Sequence, residues 1–314
     1  MTSPSELIEV PVRSSLPARR VSRAGRGVRG LLTALPFIGL KTILFATFIV
    51  VPFFYTIVLT FQRGNLLAGM RWTGIDNYLT IFSDTLFWGS LRNTLFYLVV
   101  SVPTTLIVSC AVGLLLASRI RGMKVHRSLI YTPALLSIVG TGLIWKVMVD
   151  PEQGPLALFF SKVLGINVPW TTNGTVAILF VGLITVWSAC GLYSLIFMAG
   201  FNSVPEEVLE AARIDGASRW QVLTQIKLPL ITPVMQVVLV LMTIGAIQVF
   251  DLIFVITKGG PGTATYTAMW YVYQQAFNGG SIAYAATMSV VLLLITLAIS
   301  ATFLLRRNKG NDLA

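Results

Sequence analysis

The sequence predicts an all-α, polytopic membrane protein with six transmembrane helices. Hydrophobic residues make up 55% of the 314 positions and charged residues only 11%, whereas soluble proteins carry about 25% charged residues. The mean hydropathy is +0.80. Apolar runs long enough for the roughly 20 residues that cross a bilayer recur along the chain. These observations together indicate that most of the protein lies in a lipid bilayer.

Six stretches with few charges are the predicted spans. They cover approximately residues 35–61, 93–118, 128–149, 175–200, 230–257 and 284–305. Lys41 lies near the start of the first span, and Lys146 lies near the far end of the third, where a long side chain can reach the headgroups. Asp251 is the only acidic residue well inside a span.

The loops between the spans differ in their positive charge, which fixes the orientation of a membrane protein. Sixteen Lys and Arg lie on one side, in the tail before residue 30, the loop after the second span, the polar segment before residue 230 and the last residues. Five lie on the other side, namely Arg63, Arg71, Arg92, Lys162 and Lys258. We therefore expect a multi-pass protein of the cytoplasmic (inner) membrane with both termini in the cytoplasm.

The net charge of +11 follows from this bias and suits anionic lipid at the inner leaflet. No nucleic-acid partner is expected. The expected organisation is a basic, disordered cytoplasmic tail at 1–30, a six-span domain at 31–306 containing the polar loop 202–229, and a cytoplasmic C-terminal tail at 307–314. Two cysteines and a single histidine favour neither a disulfide framework nor a metal site.

The polar segment Ser203–Pro229 separates two apolar runs and has the pattern of two short helices. Ser203 with Glu206, and later Ser218 with Gln221, have the spacing of a capping box. Gly216 between them is a predicted helix stop with access to positive φ. The first helix is acidic, whereas helices that lie on a lipid surface are rich in Lys and Arg. The pattern therefore favours a protein partner over the alternative of two interfacial helices on lipid.

This segment resembles the EAA loop of permease subunits in binding-protein-dependent ABC importers. The resemblance rests on Glu210-Ala211-Ala212, on Gly216 four residues later and on Ile226–Pro229, which stand at the family's spacing. In that family the loop docks on an ATPase subunit. The resemblance implies that Glu210, Ala211, Ala212, Asp215 and Gly216 couple this chain to ATP hydrolysis.

Other segments resemble the carbohydrate branch of these permeases, the maltose and glycerol 3-phosphate type. They are Pro52–Gln62, Trp72–Tyr78, Trp145–Gly154 and Phe250–Gly262, with Thr265, Tyr271 and Phe277 beyond. The resemblance covers about residues 35 to 305, and the long basic tail departs from it. It implies a translocation path for a carbohydrate or a related polyol such as glycerol 3-phosphate.

The resemblance also implies partners: a second permease subunit, two ATP-binding subunits and an extracytoplasmic solute-binding protein. ATP and Mg are then cofactors of the ATPases, and none is expected on this chain. The sequence contains no Gly-x-x-x-x-Gly-Lys-Ser/Thr phosphate loop, which independently favours a subunit that depends on a separate motor. It also shows no set of catalytic residues, so we expect a transport subunit and not an enzyme.

Sugar sites combine polar side chains for the hydroxyls with aromatic faces for the C–H groups of the ring. The candidates for such a path are Trp187, Tyr193, Gln248, Asp251, Tyr271 and Gln274. A charged group within a span is a functional candidate by default. The alternative for Asp251 is a packing or gate residue paired with Lys146 or with a backbone group.

Two other functions fit a six-span protein. An ion-driven secondary transporter would show an internal repeat and several intramembrane ionisable groups, and the sequence shows neither. An assembly subunit without a substrate path would keep transport after Gln248 and Asp251 are changed.

Overall fold

The computed structural model describes residues 39–65, 69–118 and 122–311, with the backbone alone at Asn65 and at 304–311. The predicted tail at 1–30, residues 31–38 of the predicted domain and residues 312–314 lie outside the described residues. In chain order the helices are α1 (Gly39–Thr60), α2 (Asp76–Ser83), α3 (Thr85–Leu116), α4 (Met123–Leu135), α5 (Ile138–Met148), α6 (Pro155–Leu158), α7 (Gly174–Asn202), α8 (Glu206–Ile214), α9 (Arg219–Leu230), α10 (Thr232–Ile247), α11 (Ala268–Tyr273) and α12 (Ile282–Asn311).

Four of these helices, α1, α3, α7 and α12, are long and apolar enough to cross a membrane. Two bent pairs add a fifth and a sixth span if each pair is counted as one, because α4 and α5 meet at 92° and α9 and α10 at 66°. Four of the predicted spans therefore agree with these long helices, and the count of six holds only if each bent pair is one span. It was wrong to expect a single straight helix over residues 128–149.

The expectation of an all-α chain needs a correction after α1. The strands β1 (Gln62–Asn65) and β2 (Gly69–Trp72) pair as an antiparallel hairpin. A further helical segment at 268–278, formed by α11 and the π-helical turn that continues it, lies between the predicted fifth and sixth spans. Neither element has the length of a span, so a search for apolar runs does not find them.

The helices α3 and α7 run parallel, since Tyr97 bonds Thr185 near one end and Gly113 faces Phe197 near the other. The face of the membrane at the C-terminal ends of these helices carries α8, and we call it the loop face. The face at their N-terminal ends carries the β-hairpin, and we call it the hairpin face. Side-chain caps fix both N-terminal ends, with Asp84 at α3 and Asn173 at α7. The Asn173 side chain accepts a hydrogen bond from the Val176 N–H at 3.1 Å, as a helix cap does.

Close packing between α3 and α7 depends on a small residue. A Cβ atom on Gly113 would stand 2.5 Å from the Phe197 Cβ and 2.9 Å from the Ser194 carbonyl oxygen. Membrane helices gain little from hydrophobic transfer between them, so van der Waals contact at small residues holds them together. The main core continues from this contact through large buried side chains that include Tyr97, Phe180, Ile184, Phe197, Val238 and Ile253.

The Asp84 carboxylate at the hairpin face joins the helices α3, α11 and α12. Asp84 accepts the Leu86 and Phe87 N–H groups on Oδ1, both at 3.0 Å, which caps α3. Its Oδ2 accepts the hydroxyls of Tyr271 at 2.8 Å and of Tyr284 at 2.7 Å. Burial, with the Asp84 hydrogen bond and charge added to it, raises the pKa of Tyr271 to about 12. The Tyr271 hydroxyl therefore stays a proton donor to the carboxylate at physiological pH.

We expect Gly113→Ala to lower the free energy of unfolding by about 1–3 kcal/mol, because the added methyl overpacks the α3–α7 contact. The matched control on the same helix is Gly89→Ala, where an added Cβ meets nothing within 4 Å. That change should be neutral or stabilise the helix by about 0.5–1 kcal/mol. Thermal unfolding of the purified protein in detergent measures both, and equal midpoints for the two variants would contradict the close contact.

Candidate functional site

The predicted fifth span is interrupted in its last third. Helix α10 ends at Ile247, the chain is irregular from Gln248 to Phe250, and helical structure resumes at Asp251 and continues as a π-helical turn over Ile253–Thr257. The prediction of one continuous helix over 230–257 is therefore wrong. Irregular backbone at membrane depth is tolerated only where it is buried in protein or lines a water-filled cavity.

Such a cavity of about 210 Å³ lies beside the break. Its polar lining comes from Tyr97, Ser101, Thr105, Thr185, Tyr193, Gln248 and Asp251, and its apolar walls include Ile138, Met242 and Leu252. The helices α3, α5, α7 and α10 therefore all contribute to it. Broken helices that line a cavity between other spans are the usual binding geometry in transport proteins.

The backbone of the break is held by a hydrogen bond from outside the span. The Thr267 hydroxyl, which is fully buried, donates to the Val249 carbonyl oxygen at 3.0 Å. Thr267 immediately precedes α11. The helical segment between the fifth and sixth spans therefore supplies a partner for a carbonyl group that the interrupted helix leaves without one.

Gln248 and Asp251 stand on the two sides of the break and are both exposed. Within the described residues, the Asp251 side chain makes no hydrogen bond or ion pair, so the pairing with Lys146 that the sequence allowed is not formed. A carboxylate accepts hydrogen bonds and a carboxamide both donates and accepts them. The pair can therefore bind a neutral molecule with several hydroxyl groups.

The opposite wall of the cavity is formed by α3 and α7. Tyr97 and Thr185 share a hydrogen bond of 2.8 Å between their hydroxyls, and the half-buried Tyr193 adds an aromatic ring. The series Tyr97, Ser101 and Thr105 has a spacing of four, which places all three on one face of α3. This polar stripe on an apolar helix is a sequence signal for the cavity that the search for single candidates missed.

The structure brings three of the six candidate path residues together in this cavity, namely Tyr193, Gln248 and Asp251. The other three do not line it. Trp187 packs edge to face against Trp145, Tyr271 binds Asp84, and the Gln274 side chain accepts a hydrogen bond from Asn278.

The polar segment at the loop face folds as two helices, and one of its two predicted caps is wrong. Ser203 donates its hydroxyl to the Gly200 carbonyl at 2.8 Å and closes α7, and α8 begins after Pro205 without a side-chain cap. The second capping box is confirmed. The Ser218 side chain accepts from the Gln221 N–H, and the Gln221 side chain accepts from the Ser218 N–H at 2.8 Å.

Between these helices Gly216 adopts φ +76, and a Cβ built there meets nothing within 4 Å. Backbone conformation, and not lack of space, therefore requires glycine at this turn. Glu210, Ala211 and Asp215 are exposed beside it, whereas Ala212 is buried against the chain.

Two large apolar side chains of this segment also face outward, Ile214 at 86% and Trp220 at 70% exposure. A groove of about 770 Å³ runs along the segment, lined by Leu114, Leu209, Ala217, Leu223 and the bases Arg213, Arg219 and Lys227. An exposed patch with apolar, acidic and basic groups in this arrangement is typical of a protein interface.

The family model for the binding-protein-dependent transport system inner membrane component matches residues 16–310. The chain belongs to this family. It is accordingly a permease, a membrane subunit that is not an enzyme, and ATP hydrolysis belongs to separate subunits of such transporters. Membership sets aside the ion-driven secondary transporter that the number of spans allowed.

Named relatives of this permease have matching length. The trehalose/maltose transport system permease protein MalF of Thermococcus litoralis is 30% identical over 88% of this chain and 92% of the relative. The diacetylchitobiose uptake system permease protein NgcF of Streptomyces coelicolor is 31% identical over 92% of this chain and 88% of the relative.

Among solved structures, a bacterial ABC transporter involved in the import of the acidic polysaccharide alginate contains a chain of the same fold. The TM-score is 0.79 at 21% identity, and the match covers 92% of this permease and 99% of that chain.

We expect Thr267→Val to destabilise this permease by about 1–3 kcal/mol, because the buried Val249 carbonyl loses its partner while the side-chain volume is kept. The control is Thr104→Val, whose hydroxyl is exposed and bonds only within its own helix at Val100. Thermal unfolding of both variants in detergent checks the difference. A Thr267→Val midpoint equal to that of the control would show that the break does not need this hydrogen bond.

Proposed function

We propose that this permease forms, with a second permease subunit, the translocation path of an ATP-driven importer for a sugar or a related polyol. The observation that carries the proposal is the polar cavity at the broken fifth span, with Gln248 and Asp251 exposed to it and unoccupied by internal partners. Support for the substrate class comes from the relatives, whose names specify trehalose, maltose and diacetylchitobiose.

The chemistry of the cavity suits a sugar. Asp251 accepts hydroxyl hydrogen bonds, Gln248 both donates and accepts, and Tyr193 offers a ring face to the C–H groups of a pyranose. The cavity holds about 210 Å³ in this one chain, which is somewhat below the size of typical ligand sites of about 300–1,000 Å³. The proposed second permease would complete the site from its own side.

The coupling segment is proposed to be α8, the Gly216 turn and α9. Glu210, Ala211, Ala212, Asp215 and Gly216 would contact one ATPase subunit, and two such subunits would hold ATP and Mg. Support comes from connectivity, because α7 leads directly into α8, and α9 leads at a 66° bend into α10. Both α7 and α10 line the cavity, so a displacement of the segment can act on both walls.

The proposed orientation places the loop face and both termini in the cytoplasm. The hairpin face would then receive the solute-binding protein that gives the family its name. The distribution of Lys and Arg supports this orientation. The ATPase contact and the cavity would both act on the position of the segment α8–α9. This shared element would couple ATP binding to access to the cavity.

We expect Asp251→Asn and Gln248→Ala each to raise the KM for uptake about tenfold or more, because each removes a polar contact worth about 1.5 kcal/mol. The measurement is uptake of trehalose, maltose and diacetylchitobiose by proteoliposomes that contain the complete transporter and its binding protein. Asp150→Asn is the control, since Asp150 is exposed in a loop and its side chain accepts hydrogen bonds only from the Glu152 and Gln153 N–H groups. Unchanged uptake by all three variants would favour a subunit without a substrate path.

We expect Gly216→Ala to impair coupling, because φ +76 strains any L residue by about 1–2 kcal/mol and the strain falls in the proposed contact with the ATPase. Glu210→Gln should weaken the same contact. The measured quantity is sugar taken up per ATP hydrolysed in proteoliposomes, which should fall for both variants.

The control for backbone strain is Gly165→Ala. Gly165 has φ +67 in open space, far along the chain from the coupling segment. The Gly165→Ala substitution introduces similar strain and should leave the ratio of sugar uptake to ATP hydrolysis unchanged. A normal ratio for Gly216→Ala and Glu210→Gln would contradict the coupling role.

A further inference from the structure

A stripe of large apolar side chains lies exposed at the end of β2, in the turn after it and on α2. Trp72, Ile75, Leu79 and Phe82 are 68%, 60%, 58% and 73% exposed. Ile75, Leu79 and Phe82 follow one side of α2 and of the N-cap residue that precedes it, and Trp72 is the last residue of β2. Among the described residues, Phe61 stacks on Trp72, and the four side chains otherwise remain mostly exposed.

The other side of α2 is fixed to the end of the first span. Asn77 is buried, and its Nδ2 donates to the carbonyls of Thr60 at 2.9 Å and Gln62 at 2.6 Å. The Tyr78 hydroxyl donates to the Thr60 Oγ1 at 3.0 Å. Thr60 is the last residue of α1, so these bonds hold α2 at the depth where the apolar core of the membrane ends.

Two positive charges stand next to this stripe without a counter-charge. Arg63 on β1 is directly opposite Arg71 on β2, and like charges in that position destabilise a hairpin. Both are exposed, and within the described residues neither guanidinium makes a hydrogen bond or an ion pair. An anion between them would relieve the repulsion, and guanidinium groups bind phosphate through paired hydrogen bonds.

The aromatic groups here have the character of a membrane boundary. Trp72 is stacked on Phe61 with ring centroids 5.7 Å apart and an interplanar angle of 17°. Tryptophan is enriched where the bilayer core meets the headgroups, because its ring has an apolar body and a polar N–H. A cationic pair beside an apolar stripe at this depth matches a phospholipid, whose phosphate lies just above its acyl chains.

We propose that the β-hairpin and α2 form a lipid-binding surface in the leaflet at the hairpin face. The stripe Trp72–Phe82 lies among the acyl chains, and Arg63 and Arg71 together hold the phosphate of one anionic phospholipid. A permanent cover is required, because four large apolar side chains in water are unfavourable. A solute-binding protein that docks and leaves in each cycle would return the stripe to water, whereas lipid covers it throughout.

The first test measures what surrounds the stripe. Spin labels are attached to Leu79→Cys, Phe82→Cys and Thr80→Cys, each in a Cys110→Ala and Cys190→Ala background, with the complete transporter in nanodiscs. Thr80 is the matched control, because it lies on the same helix about 100° from Leu79. Labels at 79 and 82 should collide more with oxygen, which partitions into lipid, than with the water-soluble complex nickel ethylenediaminediacetate, and the label at 80 should show a clearly lower ratio.

Two other outcomes would overturn the proposal. Labels at 79 and 82 that collide mainly with the nickel complex would show that the stripe faces water. Labels that are shielded from both reagents would show that a protein, such as a second permease or the binding protein, covers the stripe.

The second test addresses the phosphate. The complete transporter is reconstituted with phosphatidylglycerol and phosphatidylcholine, and bound lipid is counted by native mass spectrometry. The fraction that retains phosphatidylglycerol should fall about tenfold in the Arg63→Gln, Arg71→Gln double variant, as expected for lost charge-assisted hydrogen bonds. The control Lys162→Ala removes an exposed charge in the π-helical turn Phe159–Val163 and should retain the lipid. Equal retention by the double variant and the control would remove the arginine pair from the proposal.

Discussion

The need to pair every backbone polar group within the bilayer constrains this structure more than any other interaction. It makes the spans helical, and it permits a break only where protein or a water-filled cavity surrounds it. At Gln248–Phe250 both conditions are met, because the break lines a cavity and the Thr267 hydroxyl bonds the Val249 carbonyl. The irregular backbone and the candidate substrate site therefore have one physical cause.

The two ends of the helix bundle are held by different kinds of interaction. At the loop-face end of α3 the contact is steric, with Gly113 allowing α7 to approach to van der Waals distance. At the hairpin face it is polar, with Asp84 capping α3 and accepting hydroxyl hydrogen bonds from Tyr271 and Tyr284. A charged acceptor with four donors fixes directions as well as distances. The helical segment that supports the break is thereby positioned by the start of the second span.

The helices α8 and α9 at the loop face are connected directly along the chain to helices that line the cavity. Two helices of the cavity wall, α7 and α10, are the immediate neighbours of α8 and α9 along the chain. The turn between α8 and α9 holds its shape through the positive φ of Gly216 and the capping box of Ser218 and Gln221. The proposed coupling role depends on this direct connection of one segment to two walls of the cavity.

The sequence by itself determined the membrane class, the approximate positions of the spans, the two-helix form of segment 203–229 and the family, because apolar length, capping spacing and a glycine stop are local properties. Gln248, Asp251 and Tyr193, which line one cavity, were also named as candidates from residue type and position alone. Only the tertiary structure showed that the fifth span breaks between Gln248 and Asp251 and that Tyr97 and Thr185 line the same cavity. It also showed that Tyr271 does not line this cavity and donates a hydrogen bond to Asp84. Each of these depends on a partner far away in the chain, such as Thr267 for Val249 and Asp84 for Tyr271. Local sequence patterns do not show which distant donor or acceptor will pair with a given polar group. Within the bilayer this pairing decides the structure, because polar backbone groups must be satisfied by the protein itself.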